Sequence, residues 1–351
     1  MSSSVHRLEA GPVMGPLLLI LIGMLSLSFP VSASFAVYYG PVGPDETAQL
    51  DKFDILILPP TIDPTYVSRL SANHTVAGYV SLATVGGWEP WAEDVPQWLF
   101  IGENENWNEG VVDFASPEWE RIILEEAVPY ILSRGFNGVF LDNLDYVDLY
   151  PSKREAMVEL VKAIRERYPN ITIIANRGFS IAGEIAPYVD YVLFEDFVSY
   201  YNFTSGRYEI FGENELEWEF GQIEKLKGLN VSVLALSYVN LSDESQVEEF
   251  SALICEYAKE WRIKDVYLAD VDLQRIGVDP CVEASNQSPA GTSTTTSYGE
   301  YNKDTLTPSG ESSPKEATEN GENGSEPRVI CGPALMVALL LLALTSRWRR
   351  F

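Results

Sequence analysis

Asp142 and Glu195 each follow a short hydrophobic run directly, in Gly138-Val139-Phe140-Leu141-Asp142 and Tyr191-Val192-Leu193-Phe194-Glu195. Two facing carboxyl groups are the minimum for hydrolysing a glycosidic bond. One stays ionised as nucleophile or base, and the other has its pKa raised so that it protonates the leaving oxygen. An ionised Asp142 close to Glu195 would itself help to raise the Glu195 pKa. A plainer reading stands beside this one: Asp142 caps a loop and Glu195 pairs with Arg177. Other hydrophobic runs end in polar and aromatic residues that suit a sugar: Tyr39, Tyr79, Asn143, Asp145, Asn176, Arg177, Tyr238 and Asp270. The segment 83–116 is long for a loop, and long loops are usually functional. It holds Trp88, Trp91, Trp98 and Trp107, half of the eight tryptophans. Flat rings with a polar edge stack on sugars, and Trp107 joins the expected contacts; a small satellite core under the loop explains the same residues.

Other chemistries are short of parts. With two histidines, one near the N-terminus, there is no His-rich metal site, and a Ser-His-Asp triad would depend on His74. No cofactor motif and no metal motif is present. The 351 residues carry 24 Lys and Arg against 51 Asp and Glu, a net charge of −27, which repels a phosphate backbone and argues against nucleic acid as a partner.

The elements that must position these residues are legible as eight short apolar runs, at 35–39, 54–58, 76–82, 138–141, 171–175, 191–194, 231–236 and 266–269. They are nearly continuous in hydrophobicity, as strands buried on both faces are. Amphipathic helical patterns lie between them, at 117–134 with Ser116 as N-cap and Gly135 as stop, and at 152–168, 215–226 and 243–261. Strands alternating with helices over about 250 residues predict an α/β fold, a single-domain (β/α)8 TIM barrel over 35–285. The competing open sheet would want a Gly-rich phosphate loop after its first strand, where Gly40-Pro41-Val42-Gly43-Pro44 carries prolines.

The ends read as addresses. A 13-residue apolar run at 17–29 follows His6 and Arg7 and precedes Val31-Ser32-Ala33, the pattern of a signal peptide over 1–33. Residues 286–328 are rich in Ser, Thr, Gly, Pro, Glu and Asn, cannot bury enough surface to offset ordering entropy, and predict a disordered linker. The segment 329–351 adds Cys331-Gly332-Pro333, a short apolar run and Arg347-Trp348-Arg349-Arg350, whose arginines favour a cytoplasmic side. Seven of the sixteen asparagines begin Asn-x-Ser/Thr, at Asn73, Asn170, Asn202, Asn230, Asn240, Asn286 and Asn323, which suits an exported glycoprotein. Cys255 and Cys281 either bridge, as an oxidising compartment allows, or stay as two buried thiols.

Two resemblances add to this reading. The tail resembles the Cys-Gly-Pro sorting signal of archaeal surface proteins, which implies a membrane anchor at the cell surface and makes Cys331 a candidate for lipid attachment. Tyr38-Tyr39-Gly40, Phe53 to Pro59, Gly78-Tyr79-Val80-Ser81-Leu82, Trp107, Val112-Asp113, Gly135 to Asn143, Asn176-Arg177-Gly178-Phe179 and Phe194-Glu195 together resemble glycoside hydrolase family 114. That family is described as TIM-barrel endo-α-1,4-polygalactosaminidases. The resemblance implies Asp142 as nucleophile and Glu195 as acid/base of a retaining mechanism, acting on a polysaccharide. One departure stands out: the family's Gly-Glu pair after strand three is here Gly86-Gly87. A non-catalytic carbohydrate-binding protein and an exo-acting α-galactosidase-like enzyme are the alternatives that fit the same scaffold.

Overall fold

The computed structural model describes residues 34–281, apart from Asn106 and Asn230. The leader, the linker, the tail with Cys331, and the sequons at Asn230, Asn286 and Asn323 lie outside the described residues. Eight parallel strands follow one another around a single sheet: β1 (Phe35–Val37), β2 (Ile55–Leu58), β3 (Thr75–Ser81), β4 (Gly138–Asp142), β5 (Thr172–Asn176), β6 (Tyr191–Glu195), β7 (Ser232–Tyr238) and β8 (Asp265–Ala269). β8 lies beside β1 at the seam, where Tyr39 N donates to Leu273 O at 2.8 Å. The sheet thus closes as the (β/α)8 barrel that the eight apolar runs predict. Its strands are apolar throughout because each is covered on both faces, by the barrel interior and by a helix. β3 shows how closely: a Cβ on Gly78 would sit 2.5 Å from Ile131 Cγ2 of the covering helix.

The helices differ from expectation in detail. Glu213–Lys227 and Glu244–Glu260 form, the second capped by Asp243, which accepts from Gln246 N. The helix expected over 117–134 starts with Ser116 accepting from Glu118 N, then widens into a π-helical segment, Ile123–Ala127. Pro129 follows at once; its nitrogen has no hydrogen for the Glu125 carbonyl, and the wider turn accommodates that loss. Cys255 and Cys281 form a disulfide, with Cα atoms 5.4 Å apart, tying the last helix to the chain after β8.

Two excursions leave the barrel mouth. After β3, the strands Thr84–Val85, Phe100–Asn104 and Glu109–Val112 make a small antiparallel sheet with the last in the middle. After β6, Ser199–Asn202 pairs with Arg207–Ile210 as a hairpin. Among the described residues, no helix is long and apolar enough to cross a membrane.

Candidate active site

The site is built from the last residues of strands. Register sets Ser81 beside Asp142 and Tyr79 beside Phe140. Side chains alternate along a strand, so Asp142 shares the face of Phe140, whose ring packs on Tyr79. Asp142, Asn176, Glu195 and Tyr238 are the final residues of β4, β5, β6 and β7. Three of these strands are followed by a residue in the left-handed region, Asn143 (φ 64°), Arg177 (φ 55°) and Asp196 (φ 60°). Such geometry is strained for non-glycine residues and turns the chain sharply away, leaving the strand-end side chain at the mouth.

Asp142 and Glu195 face each other across Asn176. Asn176 Nδ2 donates to Asp142 Oδ1 at 2.8 Å and to Glu195 Oε2 at 2.7 Å, so these two oxygens stand no more than about 5.5 Å apart. Asp142 also accepts from Tyr79 Oη at 2.9 Å and from Asn143 N at 2.8 Å. Glu195 accepts from Tyr238 Oη at 2.5 Å. Both carboxyls are deeply covered, with 2% of Asp142 and 1% of Glu195 exposed. Burial raises both pKa values. Three donors pull Asp142 back toward its charged form, whereas Glu195 is pushed up to about 8, by burial first, then by Asp196, then by Asp142. Both carboxyls are thus raised by burial, and each is drawn back toward its charged form by its donors, Glu195 by Asn176 and Tyr238. The neighbouring charge that the sequence suggested acts, but third in order.

Arg177 does not pair with the Glu195 carboxylate. Its Nε donates to Asp145 Oδ2 at 2.8 Å and its Nη1 to Asp196 Oδ2 at 3.3 Å, so Asp145 and Arg177 form an ion network beside the pair. Asp145 Oδ1 is also taken, by Gly178 N. Asp270 stands apart: Leu241 N and Arg275 Nε hold its two oxygens. Asn143 lies next to Asp142, but its amide nitrogen is spent on Ser81 and Thr84. Tyr39 lies edge-on to Tyr79 and close to both carboxyls; its hydroxyl and Asn176 Oδ1 are buried without partners among the described residues. Trp107 packs edge-on against Phe203 of the hairpin, 5.4 Å between centroids, so the two excursions touch. Of the other tryptophans, Trp91 is buried against Tyr130, Trp88 lies on Tyr79 and Trp98 is 66% exposed. His74 pairs with Asp51 ahead of β3, at the opposite end of the barrel.

Two acidic residues here escaped sequence reading. The segment 82–87 lacks the Glu that the resemblance implies, and a Cβ on Gly87 would meet open space, yet Glu89 and Glu109 are buried carboxyls on the same excursion. Glu109 Oε2 accepts from Thr84 Oγ1 at 2.8 Å, and burial pushes its pKa up to about 7. The Trp88 indole N–H approaches Glu109 without completing a hydrogen bond. Glu109 is far from Thr84 in sequence, and only the antiparallel pairing of Thr84 with Val111 joins them. Glu109 also lines a cavity of about 340 Å3 with Glu103, Asn104, Glu105 and Asn108.

A buried carboxyl pair at the C-terminal mouth of a barrel defines a carbohydrate-cleaving class of site. The profile of glycoside-hydrolase family GH114 matches residues 27–288, and the chain belongs to that family. Its fold is similar to the glycoside hydrolase domain of PelA from Pseudomonas aeruginosa, at 22% identity and a TM-score of 0.61 over 70% of this chain and 97% of that one. It is also similar to Aspergillus fumigatus Ega3, solved with galactosamine, at 13% identity and a TM-score of 0.54 over 70% and 94%. No curated protein matches the sequence. The chain is a glycoside hydrolase of TIM-barrel fold.

Proposed function

We propose that this glycoside hydrolase cleaves an α-linked, galactosamine-containing polysaccharide with retention of configuration. Asp142 attacks the anomeric carbon while Glu195 gives its proton to the leaving oxygen. Glu195, now ionised, then takes a proton from water as that water displaces Asp142. The observation that carries this reading is the single amide nitrogen shared by both carboxyls. It keeps one oxygen of each within about 5.5 Å of the other at most, which favours the short carboxyl spacing of retaining enzymes, roughly 5–5.5 Å, over the 6.5–9.5 Å of inverting ones. The unpartnered Tyr39 hydroxyl and Asn176 Oδ1 are the polar atoms a sugar hydroxyl would satisfy. Galactosamine is supported by the ligand of Ega3 and by charge, since 17 Lys and Arg stand against 43 Asp and Glu in 35–285, and a polymer of free galactosamine is cationic. Digestion of de-N-acetylated galactosaminan, followed by 1H NMR, tests the reading: the first product keeps its anomeric configuration, and an inverted first product would overturn the role of Asp142.

Exo-cleavage is a second reading, favoured by the Trp107–Phe203 contact that joins the two excursions, since a groove closed by such a contact suits entry of a chain end. Monomer released from the start of digestion distinguishes it from a ladder of oligomers.

The address is part of the proposal: export by the leader, and anchoring at the cell surface by the tail, with Cys331 as lipid site. The disulfide suits an oxidising compartment, and Asn73 and Asn170 are exposed. Asn202 is a poor glycan acceptor, because its side chain is committed to Glu209, Thr204 and Ser205. Mass spectrometry of membrane-extracted protein tests the tail: an intact C-terminus with an unmodified Cys331 would refute the sorting-signal reading.

A further inference from the structure

The hydroxyl groups of Ser81 and Thr84, the amide of Asn143 and the carboxyl of Glu109 form one buried chain of hydrogen bonds that ends beside Asp142. Thr84 Oγ1 has one hydrogen and gives it to Glu109 Oε2 at 2.8 Å. It therefore accepts from Ser81 Oγ, 2.8 Å away, and from Asn143 Nδ2, 2.9 Å away. Ser81 Oγ, its own hydrogen thus committed, accepts from Asn143 Nδ2 at 2.9 Å and from Thr84 N at 3.0 Å. Both hydrogens of the Asn143 amide are then used, and its orientation is fixed. Asn143 is one of the left-handed residues, a conformation that persists only when the surroundings over-determine it. Its backbone N–H is the donor to Asp142 Oδ1.

We propose that Glu109 is a positioning residue for the nucleophile: through Thr84 and Ser81 it clamps Asn143, which holds Asp142 in its attacking position. This rests on the two-carboxylate reading of the site. Four ionisable groups face Glu109, namely Glu89, Asp142, Tyr79 and Tyr146. The clamp supplies Asp142 with a donor that favours its charged form, and the Asp142 charge in turn helps to raise Glu109.

The test uses the full chain and three variants, Thr84→Val, Thr84→Ser and Glu109→Gln. The 13C carboxyl resonance of Asp142, assigned by its loss in Asp142→Asn, is titrated in each. Thr84→Val raises the apparent pKa of Asp142 by about one unit, because the Asn143 N–H is withdrawn, and Thr84→Ser restores it. Glu109→Gln keeps an acceptor for Thr84, so the clamp holds and the Asp142 pKa does not rise. Against a galactosaminan, Thr84→Val lowers kcat at least about tenfold with KM within about twofold, and Thr84→Ser recovers most of it. An Asp142 titration unchanged in Thr84→Val overturns the clamp. If Thr84→Val does not fold, Thr84→Ala takes its place, and an unchanged Asp142 titration there, or a rise in Glu109→Gln, overturns the clamp. Wild-type protein that cleaves no glycan would refute the hydrolytic reading, while the titration still decides the clamp.

Discussion

Two pairs of buried carboxyls lie at the barrel mouth and are served very differently. Asp142 receives three donors and Glu195 two, from residues fixed at strand ends. In the excursion after β3, Glu109 receives one, from Thr84, and the oxygens of Glu89 complete no hydrogen bond among the described residues, although the N–H groups of Gly86 and Glu89 come near. Burial alone pushes a carboxyl toward its neutral form; donors bring it back. Glu89 accordingly sits well above the ordinary carboxylate range, with burial as the main cause and Glu109 next. Burial is shared by both pairs, and donor supply is what differs; it is not the whole of the balance, since Glu195 with two donors stands at about 8 and Glu109 with one at about 7, because Asp196 and Asp142 both press on Glu195.

Removing the charged groups themselves has the largest expected effect. Asp142→Asn and Glu195→Gln each lower kcat by about 1,000-fold or more with Tm nearly unchanged, because isosteric amides keep the packing. Comparable turnover in either variant would erase the distinction between the pairs. Next comes the shared donor. Asn176→Ala lowers kcat roughly 100-fold, and it raises both pKa values, because a donor to the charged forms is lost. Both limbs of the pH–rate profile then move to higher pH, and a profile that narrows or moves down contradicts the donor argument. Tyr238→Phe is milder: kcat falls about tenfold, and the alkaline limb moves upward, since Tyr238 donates to Glu195.

The smallest effect lies outside the reacting pair, in Glu219, a buried acid that accepts from Val198 N and is pushed up to about 8, chiefly by burial. Its folded pKa lies above its unfolded one, so the native state binds more protons between about pH 4.5 and 8. Its contribution to stability is fully present below that window and is lost as pH rises through it. Glu219→Gln therefore matches wild type at pH 5 and melts roughly 5 °C higher at pH 8.5. Equal melting temperatures at both pH values would remove Glu219 from the set of costly buried acids.

The barrel was legible because a strand covered on both faces must be apolar along its whole length, and eight such runs stand out against helical periodicity. Asp142 and Glu195 were legible for a related reason: a carboxyl directly after such a run is an expensive interruption. The roles of Asn143, Asp270 and Arg177 were not, because a polar residue near a strand end looks the same whether it faces a ligand or a protein partner. Asp270 turned to Arg275, five residues on, and Arg177 to Asp145 and Asp196. The tryptophans of 83–116 were equally ambiguous, and the fold used Trp91 as core and set Trp107 against Phe203.

By itself, then, the sequence determined the alternation of strand and helix, the acidity of the barrel and the two carboxyls at its mouth, since each follows from local pattern and residue type. Tertiary structure alone decided how many donors each carboxyl receives, that one Asn176 amide spans both, and that Glu109 reaches Asn143 through Thr84. Those outcomes depend on distances of about 3 Å between side chains that are 19 to 63 residues apart in the chain, and on how much water the surrounding strands exclude.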